Sequence, residues 1–529
     1  MGIPSYFSYI VKNHNKIIKK LNIKVNYLFL DSNSIIYDSF HSIINEYDES
    51  KKSIFEDKLI KLVCKNIEKL FYDVKPNKLF YISFDGVAPV AKLEQQRNRR
   101  FKSYFENIIE QKINPDYKPT WDKCAITPGT EFMNKLNYRV YKYFSNSNLP
   151  VKKILVSATD EPGEGEHKIF SYIRNNNIND NDNLVVYGLD ADLIMLALNH
   201  LNVNKNIFLY RETPEFIKSI DKDLNPGEKY IMDIPLLGKG IINEMNFYNK
   251  NKGNSHDYRL HDYIFLCFFL GNDFLPHFPS INIRTNGILK LMSAYQTVIG
   301  NSNMNLTNGK DLYWNNVSKF IEYLSEQEWD NIIEQYKIKD KMERKYLPSN
   351  NYKEKKYRYL LIPTKDRTTE KYIDPYSKKW ENRYYEKLLH CENNIYYKKK
   401  ISINYLEGLE WTTKYYSGDC VNWSWKYNYN YPPLLKDLKK FVPNWNYNFI
   451  EETNDNPIEP VVQLSYVLPL SSLFLVGNKN YHKLVNKYPE YYDNNVELEW
   501  AYCKYMWESH AILPEIEIDN LNKLLLENR

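Results

Sequence analysis

Four runs, VNYLFLD (25–31), KLFYISFD (78–85), KKILVSA (152–158) and NLVVYGLD (183–190), are apolar at consecutive rather than alternate positions. A strand that reads this way is buried on both faces, which is the situation in a parallel sheet covered by helices. Segments of helix length separate the runs. The expected class is therefore α/β, with a central, mostly parallel sheet flanked by helices. The same pattern places the chemistry. Three of the runs end in aspartate, at Asp31, Asp85 and Asp190. Ligands of open α/β sheets bind outside the carboxyl ends of the strands, so these three acids are expected at one edge.

Further acids stand where a lone charge would be costly. Asp192 opens the apolar run LIMLALNHL, two residues beyond Asp190. EPGEGEHKIFSYIR (161–174) contributes Glu164 and Glu166 at a glycine-rich turn into a helical pattern. The helix macrodipole alone would favour either of them there. HDYIFLCFFLGNDFLPHFP (261–279) sets Asp273 among apolar residues, where a local Asx bond at a helix end is the bland explanation. Seven carboxylates in one cleft would repel and raise one another's pKa values. Divalent cations relieve this, and oxygen ligands without His or Cys suit Mg²⁺ or Mn²⁺ rather than zinc. Two such ions about 3.5–4 Å apart are the common device for in-line attack at phosphorus. His167, inside the glycine-rich motif, is read as a packing residue rather than a ligand.

APVAKLEQQRNRRFKSYF (88–105) follows Asp85 directly. Lys92, Gln96, Arg99 and Arg100 fall at i, i+4, i+7 and i+8, one face of a helix. Two guanidiniums, an ammonium and an amide on one face make a pocket for a phosphate group.

Composition excludes more than it suggests. The net charge of +5 in 529 residues is too mild to imply nucleic acid by itself. The six cysteines form no C-x-x-C pair, so neither a zinc site nor a disulfide framework is expected. No apolar stretch approaches the ~20 residues of a membrane helix, and the opening MGIPSYFSYIVKNHNK shows no secretory signal. A cytoplasmic protein, with the nucleus left open, is expected.

FDGVAPVAKLEQQRNRRFK, AITPGTEFM (125–133), PGEGEHK, YGLDADLIML and GNDFLPHFP together resemble the ordered motif series of the Xrn/Rat family of 5′→3′ exoribonucleases, as do MGIPSYFSYI and FLDSNSII. The resemblance resumes at GLEWTTKYYSGDCVNWSWKYNYNYPPLLKDL (408–438), PIEPVVQLSYVLPLSSLFLV (457–476) and WESHAILPEIE (507–517). It implies a flap-nuclease-like core over 1–300, a helical insertion and linker over 301–390, and a second region over 391–529 that completes the active-site channel. A short form without a long carboxyl-terminal extension is expected.

The resemblance also implies roles. Asp31, Asp85, Glu164, Glu166, Asp190, Asp192 and Asp273 match the family's metal-binding acids, with two Mg²⁺ or Mn²⁺ ions as cofactors. Lys92, Gln96, Arg99 and Arg100 match a pocket for a 5′-monophosphate. The family stacks the first bases between a His and a Trp. Here the His position is Tyr37, and Trp423 or Trp425 stands for the Trp. The implied activity is processive 5′→3′ degradation of 5′-monophosphorylated single-stranded RNA to nucleoside 5′-monophosphates, by a monomer. A flap-type structure-specific DNA nuclease, or a non-catalytic RNA-binding scaffold on the same fold, are the alternatives. The basic and aromatic stretches 351–359 and 398–400 are read as solvated surface.

Overall fold

The computed structural model describes residues 3, 5–118, 120–213, 215–219, 222–246, 256–302, 304–453, 455–493 and 496–526. Its centre is a seven-stranded sheet: β1 (Ile18–Lys19), β2 (Tyr27–Asp31), β3 (Leu79–Ser83), β4 (Lys153–Ser157), β5 (Leu184–Tyr187), β6 (Ile207–Glu212) and β7 (Lys229–Asp233), in the spatial order β1-β7-β6-β5-β2-β3-β4. The five strands β6-β5-β2-β3-β4 are parallel, and β7 and β1 close one edge antiparallel. The chain starts this parallel set at β2, proceeds outward through β3 and β4, then returns to the other side of β2 for β5. The reversal lies between β2 and β5, the position where open sheets of this kind take ligands.

The continuous apolarity of the runs has the expected cause. Phe29, Leu79, Tyr81, Leu184 and Val186 belong to a core on one side of the sheet. Leu28, Leu30, Phe80, Ile82 and Val185 belong to a separate core on the other. Three strands fall outside the sequence reading. β1 has only two residues, and β7 and β6 mix charges into their apolar positions. In β6 the charge is Arg211, which is buried with its guanidinium 3.9 Å from the Phe7 ring centre and donates to the Leu189 carbonyl at 2.8 Å. Two strand ends also differ. Only Asp31 lies within its strand, whereas Asp85 and Asp190 follow the last residues of β3 and β5 by two and three positions.

The rest of the chain is mostly helical and packs on this frame. The segment read as a helical insertion and linker contains the helices Trp314–Glu326 and Glu328–Arg344. Its Trp314, Phe320 and Leu324 join the main core, so this part is integral to the body. The 23-residue helix Ile395–Ser417 runs from an exposed start to a buried end. The Pro460–Val467 helix packs on the basic helix Val90–Ile113, with Val462, Leu464 and Val467 in one core with Ala88 and Leu93. Among the described residues no helix is long and apolar enough to cross a membrane.

Several hydrogen bonds tie the helical segment to the second region, those of Glu328 among them. The buried Glu328 carboxylate accepts the backbone N–H groups of Leu435 (2.7 Å) and Lys436 (3.0 Å), at the start of the Leu435–Leu438 turn. Glu328→Ala leaves both donors buried and unpaired. It is expected to lower the unfolding free energy by about 2–4 kcal/mol, read as a lower midpoint in urea denaturation at unchanged slope.

Candidate active site

The sheet edge gathers the acids from both sides of the switch point. Asp31 is the last residue of β2, opposite Ser83. Asp85 follows β3 and is fixed by three hydrogen bonds: Asn33 Nδ2 and the Gly165 backbone N–H (2.7 Å) donate to its carboxylate, and its own N–H donates to Asn33 Oδ1 at 3.3 Å. Gly165 is required here by close approach. A Cβ at that position would lie 2.9 Å from Asp31 Oδ1 and 3.3 Å from Asp85 Oδ1. The first turn of the Gly165–Asn175 helix thus passes between two carboxylates, and any side chain there would fill the space.

Glu164 precedes that helix, yet its side chain makes no capping bond. It pairs instead with Lys92 Nζ and accepts the Tyr415 hydroxyl at 3.0 Å. Asp273 likewise does not serve its turn. Asn272 Oδ1 does, accepting from the N–H groups of Phe274 (2.9 Å) and Leu275 (2.8 Å). Asp273 receives Lys92 Nζ at 2.7 Å and Gln95 Nε2 at 3.3 Å. Glu164 stands where the macrodipole favours an acid, and both acids are also paired with Lys92. Asp190, at the end of the NLVVYGLD run, is exposed. Asp192 is buried, 3% exposed, at the head of the Asp192–Asn199 helix.

Lys92 is the internal counter-ion. Burial opposes its charge, but Asp273, Glu164, Glu166 and Asp192 hold its pKa well above the ordinary range. Burial, then Asp85 and Asp190, push Asp31 well up. Burial, then Asp192 and Glu164, do the same to Glu166. Burial and the nearby Asp273 take Asp192 to about 7. Burial would raise Asp273 too, but Lys92 outweighs it and holds this carboxylate below the usual range.

One ammonium does not satisfy the group. Glu166 Oε2 and Asp192 Oδ1 are buried and have no hydrogen-bond partner among the described residues. Orphaned carboxylate oxygens in an all-oxygen cluster fit a hard divalent cation. Among the described residues, however, no three acids or other ligand side chains already converge on one point. The donor chemistry fits a metal, while the side chains are arranged around Lys92.

The predicted phosphate face is split. Arg100 Nη2 donates to Thr127 Oγ1 (2.7 Å), and its Nη1 to Gln96 Oε1 (3.3 Å), so Gln96 and Arg100 stay together. Lys92 is turned into the acids. Arg99 has no hydrogen bond or ion pair among the described residues and faces a cavity. Tyr37 is half-buried, with its hydroxyl near Arg100. Of the two tryptophans, Trp425 is corrected to a core residue. It stacks on Trp411 at 5.2 Å and its Nε1 donates to Glu407 Oε2 at 3.2 Å, which leaves no face for a base. Trp423 is half-buried, and its carbonyl accepts the Val90 N–H at 2.9 Å.

His167 packs as expected, stacked on Tyr415 with centroids 3.7 Å apart. Tyr415 stacks in turn on Trp411 at 4.7 Å. A column of four rings therefore joins the glycine-rich motif to the NWSW segment. The tyrosines of this junction lie outside the sequence reading. Tyr415 holds Glu164, and the Tyr416 hydroxyl lies against Asp192. Adjacent tyrosines at the end of an apolar helix carry no sequence signal beyond ordinary core packing.

Residues 1–213 match the family described as XRN 5′-3′ exonuclease N-terminus, and residues 255–374 and 364–527 match the Xrn1 helical domain. The chain belongs to the Xrn family. Its relatives include the 5′-3′ exoribonuclease 2 homolog of Drosophila melanogaster, 27% identical over 99% of this chain and 71% of that protein. The 5′-3′ exoribonuclease 1 of Homo sapiens is 28% identical over 100% of this chain, but only 34% of its own length. That of Saccharomyces cerevisiae is 28% identical over 90% of this chain and 40% of its own length. This Xrn-family chain thus spans most of the fly relative and about a third of the human one.

The raised carboxyls give a pH signature. The folded pKa of Asp192 rises from 3.8 to about 7. Stability conferred by its proton is complete below about pH 4 and is lost as pH rises through about 7. With divalent ions chelated, the melting temperature is expected to fall between about pH 5 and pH 8. Millimolar Mg²⁺ should then raise it by several degrees at pH 8 and hardly at all at pH 5. Scanning calorimetry at the two pH values reads both effects, and an equal Mg²⁺ response at both would contradict the arrangement.

Proposed function

We propose that this chain is a processive 5′→3′ exoribonuclease that degrades 5′-monophosphorylated single-stranded RNA to nucleoside 5′-monophosphates, with two Mg²⁺ or Mn²⁺ ions as cofactors. The observation that carries this reading is the pair of buried oxygens on Glu166 and Asp192 without a hydrogen-bond partner among the described residues, set beside Lys92, with Arg99 and Arg100 on the same helix. The family supports the enzyme class, and the relatives are named 5′-3′ exoribonucleases.

Asp31, Asp85, Glu164, Glu166, Asp190, Asp192 and Asp273 would hold the ions. When bound, the ions activate the attacking water and offset charge developing at phosphorus. The protein's own residues do the rest. Gln96, Arg99 and Arg100 receive the terminal phosphate, which a bulky cap or triphosphate would overfill. Asn33 and the Gly165 N–H hold Asp85 in one orientation, and Tyr415 does the same for Glu164. Lys92 stays charged between Glu164 and Asp273 and keeps them from repelling each other before the substrate arrives. Tyr37 and Trp423 offer ring faces to the first bases, each such stack contributing about 1–3 kcal/mol. Water adds at phosphorus, the bond to the 3′ oxygen breaks, and that oxygen takes up a proton. The shortened strand carries a new 5′ phosphate that can dock in turn, which favours processive action. The physiological setting we infer is mRNA decay in the cytoplasm.

RNAs that differ only at the 5′ end test the reading. The monophosphate is expected to be degraded at least tenfold faster than the triphosphate, capped or hydroxyl forms, and Arg100→Ala should narrow that gap. A DNA oligomer of the same sequence, run beside them, decides between RNA and DNA as substrate. Asp192→Ala should lower the rate by about a hundredfold or more while leaving the melting temperature in the presence of chelator unchanged or raised, because a buried carboxylate is removed.

A further inference from the structure

A cavity of about 630 Å³ lies beside the acids and shares only Arg99 with the predicted phosphate face. On the Val90–Ile113 helix it is lined by Gln95, Asn98 and Lys102. At 3.6 residues per turn, these lie about a third of a turn round from Lys92, Gln96 and Arg100, with Arg99 between the two sets. The opposite wall comes from 426–430 and 508–515, and Asp273 stands at the boundary with the catalytic cluster.

Its chemistry is that of an anion site with an aromatic wall. Arg99, Lys102 and Lys400 line it. Lys102 is fixed in place by the Trp507 and Ser509 carbonyls, at 2.8 and 2.7 Å. The acids on its walls are already matched: Glu94 by Lys426 at 2.8 Å, Asp273 by Lys92 at 2.7 Å and Glu508 by Arg284 at 2.6 Å. Glu515 is exposed. The lining includes polar atoms that are buried and have no hydrogen-bond partner among the described residues, Gln95 Oε1 and Asn272 Nδ2 among them. Tyr429, half-buried, offers a ring. The volume suits one small ligand.

We propose that this cavity is a binding site for the released nucleoside 5′-monophosphate, through which product leaves the acids. The inference rests on the exonuclease reading above. Each cycle leaves a phosphate on the Gln96–Arg100 face that must vacate it before the new 5′ end can dock. A dianion moving past Arg99 toward Lys102 stays within reach of a cation throughout, and its base then meets Tyr429. With Tyr37 stacking the first bases as proposed above, the strand enters on the Arg100 side of the helix and does not need this space.

Calorimetric titration of the full chain with adenosine 5′-monophosphate tests the site. Saturable binding is expected, at least tenfold weaker for adenosine. Lys102→Met should weaken it about tenfold or more. Lys400→Met, a change at an exposed residue, should weaken it several-fold without risk to the fold. Arg100→Ala, which removes binding at the terminal-phosphate face, should leave the component that depends on Lys102 and Lys400 intact. In degradation assays, the added monophosphate should lower kcat more than it raises KM. Unchanged affinity in both lysine variants, or affinity lost in Arg100→Ala alone, overturns the proposal. A wild-type chain that degrades RNA but does not bind the monophosphate sinks this site and leaves the activity standing. Binding that tracks Lys102 in a chain without nuclease activity does the reverse.

Discussion

Among the described residues, the ammonium of Lys92 sits between the acids of the sheet edge. Lys92 reaches from the basic helix into the carboxylates and pairs with Glu164 and Asp273, which arrive from segments more than a hundred residues apart. Without it, Glu164 and Asp273 would lose their buried ion pairs, and such uncompensated groups cost several kcal/mol each. The β2/β5 reversal, the glycine passage between Asp31 and Asp85, and the tyrosines of the Ile395–Ser417 helix all position groups around that one cation.

The arrangement also reassigns a residue. Sequence spacing puts Lys92 in the phosphate face with Gln96, Arg99 and Arg100, whereas the side chain serves the acids. The two roles are compatible in a cycle where metal relieves Lys92 of its partners, since neutralised carboxylates hold an ammonium less tightly. Among the described residues the acids have not converged to ligand geometry, in keeping with an ammonium at their centre that cannot take more than a few short contacts.

Much of the fold was legible because doubly buried strands have an unmistakable pattern. β2 to β5 were found from it. β6 was not, since Arg211 interrupts its apolar pattern and is accommodated by the Phe7 ring and the Leu189 carbonyl, contacts that no local pattern selects. The acids at the strand ends were legible as an oddity of charge in apolar surroundings. The exposure of Asp190 was not, because two residues along a loop separate rim from interior. The choice between Trp423 and Trp425 depended on a partner, Trp411, that no local pattern selects. The cavity beside Lys102 is formed by segments more than three hundred residues apart, and only the assembled chain reveals it.

The stacked rings of His167, Tyr415, Trp411 and Trp425 have a bearing on modularity. They make the first and second regions a single solid at the one place where sub-ångström placement matters. Segments between them can lengthen or shorten at small entropic cost, but the ends of the column admit no such freedom. A chain built this way can vary its periphery widely while being unable to exchange either half for a foreign one, because the rings that set the position of Glu164 are contributed by both.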